Sequence, residues 1–257
     1  MNVEVEPCKI LDWDSQFFNL RIARVEASRL DPELAQSIDH WCRQEAIDCL
    51  YLLADASHPP TIRLAEQHGF RLMEVRLTLE RKLIDWKPGP IPREVGDVLI
   101  RAYQPSDLPA MQAITRNSYT TTHFVVDPCF SKERSQAFYE TWVQNSCEGY
   151  EEMVLVAEEQ GEVIGFLTGR FIPPPIEEDA PDCQLMLTGV TGQLRGKGVG
   201  LEMLRCGTDW FVQRGCKHII GVVQAPNIPI QRALQRLGFV SQSAMLYYHK
   251  WFTGCQE

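Results

Sequence analysis

The 257-residue sequence lacks the run of ~20 consecutive apolar residues that a membrane-spanning helix requires. Its first residues lack the basic stretch and apolar core of a secretory signal peptide. Positive charge is not in excess, since 25 Lys and Arg stand against 34 Asp and Glu, for a formal net charge of −9 at pH 7. These absences argue against a membrane partner and against nucleic-acid binding through bulk charge, and they predict a cytoplasmic protein.

Patterns typical of metal sites and disulfide frameworks are missing as well. The nine cysteines are odd in number, irregularly spaced and include no C-x-x-C pair. We therefore expect no disulfide framework and no zinc or other metal site. Most of the thiols are predicted to be reduced and partly buried.

The sequence does contain 44% hydrophobic and 23% charged residues, a balance typical of packed soluble proteins. Its length allows one long domain or two short ones. Residues 86–97 hold three prolines and two glycines, a combination that excludes a helix or a central strand. We therefore predict a boundary here, between a domain over 1–90 and a larger domain over 98–257.

Hydrophobic patterning predicts strands and helices in both parts. In the first part we predict strands over 21–27, 49–54 and 70–81 and helices over 31–46 and 61–68, with Asp31 as the N-cap of the first helix. In the second part we predict strands over 98–102, 184–190 and 218–224, a hairpin of 152–158 with 162–170, and a last strand through 248. We predict four helices there: one with Ser106 as its N-cap, one that begins near 131, one that begins near 199 and one that follows Asn227. Residues 64–70 and 234–239 both run from a helix through Gly-Phe into a strand. Internal duplication and a common way of ending a helix both explain this echo.

The segment most specific for chemistry is a glycine-rich turn over 191–200, between a predicted strand and a predicted helix. Its glycines allow close approach of the backbone to a ligand, and the helix N-terminus offers unpaired N–H groups to an anion. Arg195 and Lys197 add positive charge in an acidic protein. Neither G-x-x-x-x-G-K-[ST] nor a dinucleotide G-x-G-x-x-G after a first strand is present. A phosphate-binding loop of another kind and a glycine-rich turn that serves only packing are the two interpretations.

This turn resembles the phosphate loop of the GNAT superfamily of acyl-CoA N-acyltransferases, whose pattern Q/R-x-x-G-x-G/A fits both 193–198 and 195–200. The strand over 218–224, Asn227, a helix and Gly238-Phe239 follow in the family's order. The resemblance implies a mixed-sheet α/β fold, the GNAT fold, and acetyl-CoA or another acyl-CoA as donor substrate. It also implies that the strand ending at Val190 splays from the next one, that pantetheine lies in the gap, and that a free N–H near Val190 binds the oxyanion. The implied donor-binding residues are Val190, Gln193, Leu194, Arg195, Gly196, Lys197, Gly198, Val199, Gly200 and Asn227.

The groups that move protons are less clearly indicated. Family members often carry a tyrosine, the general acid, seven residues after the asparagine, and Leu234 stands there in this sequence. Tyr247 and Tyr248 are the candidate acids, because neighbours on a strand face opposite sides and one of them would face the cleft. His123 is a candidate base for its intrinsic pKa of ~6.5, and Glu158 is a candidate from its strand. For each of the four, an ordinary structural role is the alternative.

A closer resemblance, to the TDP-fucosamine acetyltransferase type of the family, rests on Ser15-Gln-Phe-Phe, on 65–70, and on two segments over 122–124 and 138–142. It implies that 1–90 is a smaller, truncated GNAT-like domain and that the acceptor is a nucleotide-linked amino sugar. A protein N-terminus, a lysine or another small amine is the alternative acceptor. A non-catalytic acyl-CoA-binding regulatory module is the alternative function, and a homodimer is one oligomeric state that the sequence leaves open.

Overall fold

The computed structural model describes residues 6–173, 181–192 and 198–254, which fall into two compact units. The first takes its described residues from Met1–Arg76, Thr121–Ser135 and Ala244–Glu257, and the second from Leu77–Thr120 and Gln136–Ser243. The units interleave along the chain. The domain bounds 1–90 and 98–257 stay a prediction.

Strands and helices alternate along much of the chain. The strands are β1 (Cys8–Ile10), β2 (Ile22–Val25), β3 (Cys49–Asp55), β4 (Arg71–Lys82), β5 (Arg93–Val95), β6 (Val98–Ala102), β7 (Met153–Glu159), β8 (Glu162–Ile172), β9 (Asp182–Val190), β10 (His218–Gln224) and β11 (Val240–Trp251). The helices are α1 (Asp12–Phe18), α2 (Pro32–Gln44), α3 (Pro59–Gln67), α4 (Leu108–Ser118), α5 (His123–Val126), α6 (Lys132–Asn145), α7 (Val199–Val212) and α8 (Ile228–Arg236). Short 3-10 and π-helical turns span Pro105–Asp107 and Ser146–Tyr150.

The predicted mixed α/β class is confirmed, and the predicted elements are present with shifted ends. Asp31 caps α2 as expected, its side chain accepting a hydrogen bond from the Leu34 amide at 2.8 Å. The prediction of Ser106 as an N-cap is wrong, because Ser106 lies inside a 3-10 turn that Gln104 caps in a capping box with Asp107, and Asp107 is the residue that precedes α4. β1, β5, α1 and α5 were not predicted, since each is too short for its periodicity to be distinctive.

In the first unit the strand order is β1-β2-β3-β11. β2 and β3 pair parallel, whereas β1 with β2 and β3 with β11 pair antiparallel. Nearly every residue of β3 is buried, because a strand covered on both faces needs apolar side chains at successive positions. Tyr248 of β11 packs into the core of this unit together with Leu50 and Leu52.

In the second unit the strand order is β4-β10-β9-β8-β7-β6-β5. β7 and β8 form the predicted hairpin, and its two loop residues, Gln160 and Gly161, have φ angles of 52° and 85°. Positive φ at both positions is the signature of a type I′ turn, whose twist matches that of the strands. α7 buries Val199, Met203 and Phe211 in the core beside the sheet. Within the described ranges, no helix is long and apolar enough to cross a membrane.

The structure contains a disulfide between Cys183 and Cys216, so the expectation of reduced thiols is wrong for this pair. Cys183 lies on β9 and is paired in register with Ile219 of β10, which brings Cys216, just before β10, close to it. Spacing alone does not reveal this, because it arises from the parallel pairing of distant segments. The prediction of reduced thiols holds for five free cysteines, which are Cys8, Cys42, Cys49, Cys147 and Cys206.

A buried carboxylate on α7 anchors the proline-rich segment 86–97. Trp86 Nε1 donates to Asp209 Oδ1 at 2.6 Å, and Arg93 Nη2 donates to Asp209 Oδ2 at 2.5 Å. Asp209 is 1% exposed, so its charge needs these partners. The segment is therefore fixed at this point although it holds little regular structure.

We expect Asp209→Asn to destabilise the protein by ~3 kcal/mol, because it leaves the Arg93 cation without its buried counter-charge. Urea unfolding followed by circular dichroism measures the change. Glu202→Gln is the matched control, since Glu202 lies 3.7 Å from Arg93 at a more exposed position and its loss should cost under ~1 kcal/mol. Equal costs for the two variants would contradict the anchoring role of Asp209.

Candidate active site

β9 and β10 pair only at their beginnings. Their parallel register joins Cys183 with Ile219, Gln184 with Ile220 and Leu185 with Gly221. Beyond these three pairs β9 continues to Val190 and β10 to Gln224. The two strands therefore splay apart, as the family resemblance implied, and β10 leaves the edge of the later β9 residues unpaired.

The backbone of Val190 faces this unpaired edge. The amide of the next residue, Thr191, donates to the Ile164 carbonyl of β8 at 2.9 Å. Because backbone N–H groups alternate sides along a strand, the Val190 N–H points away from β8. The backbone N–H and C=O of Thr188 also point away from β8. The Tyr119 hydroxyl accepts a hydrogen bond from the Thr188 N–H at 2.9 Å and donates one to the Thr188 carbonyl at 3.0 Å. Tyr119 thus covers Thr188, two residues before Val190.

Tyr119 follows the last residue of α4 and is held by ring stacking. Its ring lies 4.6 Å from that of Tyr139 at an angle of 7°, and the Tyr139 ring stacks in turn on Trp142 at 6.1 Å. Burial raises the pKa of Tyr119 above its usual value. The hydroxyl is therefore neutral and able to donate and accept at once.

Five of the predicted donor-binding residues, Gln193, Leu194, Arg195, Gly196 and Lys197, lie outside the described residues. Gly198 immediately precedes α7 with φ 90°, a conformation that side chains rarely adopt. A Cβ added at Gly200 would meet Val190 Cγ2 at 3.9 Å. The N-terminus of α7 therefore adjoins the end of β9, and Val199 beside it is buried in the core.

Asn227 and Leu234 belong to α8. Asn227 caps this helix, its Oδ1 accepting a hydrogen bond from the Ile230 amide at 3.4 Å, so the residue has a structural task besides the predicted contact with CoA. Leu234 is 1% exposed, and a Cβ at Gly221 would lie 3.2 Å from it. It packs against β10 as an apolar residue and offers no acid at this position.

Glu158 lies in an ion-pair network. Arg101 donates to Glu158 Oε2 from Nε at 2.8 Å and from Nη2 at 2.6 Å, and its Nη1 donates to Asp107 at 2.7 Å. Both contacts with Glu158 use the same carboxylate oxygen, and the same guanidinium links Glu158 to Asp107. The geometry favours the structural alternative for Glu158, and its catalytic role stays a prediction.

His123 and Tyr247 come together in the first unit, with ring centroids 4.2 Å apart. Tyr248, the neighbour of Tyr247 on β11, points into the core on the opposite face, as strand geometry requires. The structure therefore distinguishes between the two candidate acids. Tyr247 shares a polar cluster with His123, whereas burial raises the pKa of Tyr248 among apolar side chains.

Two members of this cluster were missed from the sequence. His249 Nε2 lies 2.9 Å from His123 Nδ1, and His249 Nδ1 lies 2.6 Å from Asp127 Oδ2. Asp127 and His249 stand 122 residues apart in the chain. No local pattern connects them, although the position of His249 two residues after Tyr247 places both on one face of a strand.

Comparison with known proteins identifies the domain. Residues 117–239 match the model of the Acetyltransferase (GNAT) family. The chain contains a GNAT acetyltransferase domain. The matched residues include the splayed edge of β9, the glycine-rich turn and α7, so the family match and the geometry concern the same part of the chain.

Two relatives and one solved structure show how far the similarity of this chain extends. The dTDP-fucosamine acetyltransferase of Escherichia coli O6:H1 is 23% identical over 252 residues, covering 96% of this chain and 99% of that protein. The spore coat polysaccharide biosynthesis protein SpsD of Bacillus subtilis is 26% identical over 148 residues, which are 58% of this chain and about half, 49%, of that protein. A solved GCN5-related N-acetyltransferase from Sphaerobacter thermophilus shares the fold with a TM-score of 0.63 at 18% identity, over 96% of this chain and 76% of that one. The predicted enzyme class, an acyl-CoA-dependent N-acetyltransferase, is confirmed at the level of the family.

Gly198 and Gly200 provide a test of the geometry at the start of α7. Gly198→Ala should destabilise the GNAT domain by ~1–2 kcal/mol, because φ 90° strains any residue with a Cβ. Gly200→Ala should be neutral or stabilise it by up to ~1 kcal/mol, because the site is helical and has room. Thermal unfolding of both variants measures the difference, and effects of the same sign and size would refute the conformation at Gly198.

Proposed function

We propose that this chain transfers an acetyl group from acetyl-CoA to the amine of a nucleotide-linked amino sugar. The observation that carries the donor half is the unpaired edge of β9 beside the N-terminus of α7. An amide N–H of the pantetheine arm finds there the backbone C=O of Val190, and phosphates find the N-terminus of α7, which follows the glycine-rich sequence 193–198. The edge and the helix end thus fit the two chemical parts of the donor.

The chemistry needs four tasks from the chain. The Val190 N–H donates to the oxygen that becomes negative when the amine nitrogen attacks the thioester carbon. His123 takes the proton that the attacking amine loses. Tyr247 gives a proton to the sulfur as the carbon–sulfur bond breaks. Asn227 and the turn hold the donor in place. These residue roles are part of the proposal.

The acceptor half is supported by the relatives. The relative that covers nearly the whole chain is named for acetylation of dTDP-fucosamine, and SpsD is named for polysaccharide synthesis. A neutral amine on a sugar reacts by the same displacement as any other primary amine. The acceptor is therefore identified by what surrounds the amine, and a comparison of acceptors is the decisive experiment.

We expect the purified protein to release CoA thiol from acetyl-CoA with a dTDP-linked 4-amino-4,6-dideoxyhexose and to yield a product heavier by one acetyl group. Thiol release measured with a disulfide reagent and mass spectrometry of the product follow both halves. The control panel holds the free amino sugar, L-2,4-diaminobutyrate, a lysine peptide and a peptide with a free N-terminus. Faster turnover of a panel amine would replace the proposed acceptor, and CoA binding without release for any amine would replace the enzyme by a binding module.

Tyr119→Phe tests the assignment of the β9 edge to the donor. The variant keeps the stacked ring but frees the Thr188 N–H and C=O, so the edge gains groups that pair with pantetheine amides. We expect CoA to bind about 5-fold tighter. This corresponds to ~1 kcal/mol, because a pantetheine amide that pairs with Thr188 no longer has to displace a hydrogen bond from the Tyr119 hydroxyl. Isothermal titration calorimetry measures this, with Tyr139→Phe as a control of unchanged affinity. Weaker binding by Tyr119→Phe would show that its hydroxyl helps to hold the donor.

A further inference from the structure

We infer that Asp127 and His249 fix the proton of His123 on Nδ1 and thereby present His123 Nε2 as the proton acceptor for the substrate amine. In this arrangement Asp127 and His249 are positioning residues, since they act through His123. The inference rests on the proposed acyl transfer to an amine. It goes beyond that proposal because it assigns roles to two residues and a protonation state to a third.

The three side chains form one continuous chain of short contacts inside the first unit. Asp127 Oδ2 lies 2.6 Å from His249 Nδ1, and His249 Nε2 lies 2.9 Å from His123 Nδ1. Asp127, His249 and His123 are 1%, 0% and 4% exposed. A buried polar chain of this kind persists only when each member is satisfied by the next.

Asp127 is held as an anion. Its Oδ2 also accepts from Trp251 Nε1 at 3.0 Å, and its Oδ1 accepts from the Cys129 amide at 2.9 Å. Burial alone would raise the pKa of Asp127, but the hydrogen bonds from His249 and Trp251 outweigh it and lower the pKa below its usual value. A carboxylate accepts and does not donate, so the proton of the contact with His249 belongs to His249 Nδ1.

The proton on His249 Nδ1 determines which imidazole donates in the contact between His249 and His123. A neutral imidazole with a proton on Nδ1 has a lone pair on Nε2, so His249 Nε2 accepts. The contact between the two imidazoles needs one donor, and His123 Nδ1 is the nitrogen that supplies it. His123 Nε2 is then the nitrogen with a free lone pair. Burial lowers the pKa values of both histidines, which keeps them neutral near pH 7.

Other charged and aromatic groups lie around His123 and His249. Glu74 Oε2 accepts from the His123 backbone amide at 3.1 Å, and Arg76 Nε pairs with Glu74 Oε1 at 2.5 Å. The Arg76 guanidinium lies 4.1 Å from the centroid of the Tyr247 ring, and the Tyr51 ring stacks on His249 at 4.7 Å. The positive charge of Arg76 opposes protonation of His123, so the Asp127 carboxylate is what makes an incoming proton acceptable.

The hydrogen-bonded side chains of Asp127, His249 and His123 can accept one proton during the reaction and release it afterwards. The attacking amine forms its bond to carbon and loses a proton, which binds the lone pair of His123 Nε2. The Nδ1 proton of His123 can pass to His249 Nε2, which places the positive charge beside the Asp127 carboxylate. The carbon–sulfur bond breaks as Tyr247 gives its proton to the sulfur, and after the acetylated product departs the extra proton on the histidines replaces the one that Tyr247 gave.

The first test is the tautomer itself, measured by nitrogen-15 NMR on protein labelled at its histidines and free of substrate. We expect the Nδ1 of His123 to carry a proton and its Nε2 to show the downfield shift of an unprotonated nitrogen near pH 7. In Asp127→Asn we expect this preference to be lost. A proton on Nε2 of His123 in the unaltered protein would overturn the inference without any activity measurement.

The second test is kinetic. His123→Gln and Asp127→Asn should lower kcat by at least ~10²-fold, with KM for acetyl-CoA nearly unchanged, because each removes a usable proton acceptor. Removing the negative charge also lowers the pKa of His123, so the acid limb of the kcat/KM profile of Asp127→Asn should move to lower pH. Unchanged kcat in either variant, with the predicted tautomer present, would overturn the catalytic role.

His68→Gln is the matched control, because His68 Nδ1 pairs with Asp39 at 3.0 Å in the same unit and has no place in the proposed chemistry. It should leave the His123 spectrum and the kinetics unchanged. Failure of the proposed function would be visible separately, as absence of thiol release by the unaltered protein with every amine of the panel. Retention of the tautomer in that case would overturn the role of His123 as proton acceptor for a substrate amine.

Discussion

The loss of pairing between β9 and β10 is the constraint on which the rest of the proposed donor site depends. A backbone N–H or C=O group in a protein interior needs a hydrogen-bond partner. Beyond its three residue pairs with β10, β9 has no neighbouring strand on that edge to supply these partners. The chain meets the need at Thr188 with a side chain, the Tyr119 hydroxyl. At Val190 the backbone groups face the same edge, and this is the basis of the proposal that an extended molecule with amide groups binds there.

The polar cluster of the first unit uses burial in a different way. Glu158 and Asp107 show the ordinary case, in which one arginine pairs with two carboxylates. The chain from Asp127 through His249 to His123 ends on an imidazole nitrogen, and the order of donors along it gives that nitrogen a lone pair. Both arrangements satisfy buried charge, but only the second leaves a proton acceptor at its end.

Features set by neighbouring residues could be predicted from the sequence. The glycine-rich turn, the hairpin at Gln160-Gly161 and the cap at Asp31 each depend on a few consecutive positions, and the splay of β9 came with the family resemblance. The Cys183–Cys216 disulfide, the pairing of Glu158 with Arg101, and the Asp127–His249 contact depend on which distant segments meet. Periodicity and composition carry no information on such meetings. The prediction for Ser106 failed because a 3-10 turn capped by Gln104 precedes α4.

The pairing of β3 with β11 has a consequence for how the protein is made. Each residue from Cys49 to Asp55 is in register with a residue between Met245 and Trp251. The fourth strand of the first unit's sheet therefore leaves the ribosome long after the other three. Until then β3 has an apolar, unpaired edge, and a nascent chain of this protein needs protection from aggregation for most of its synthesis.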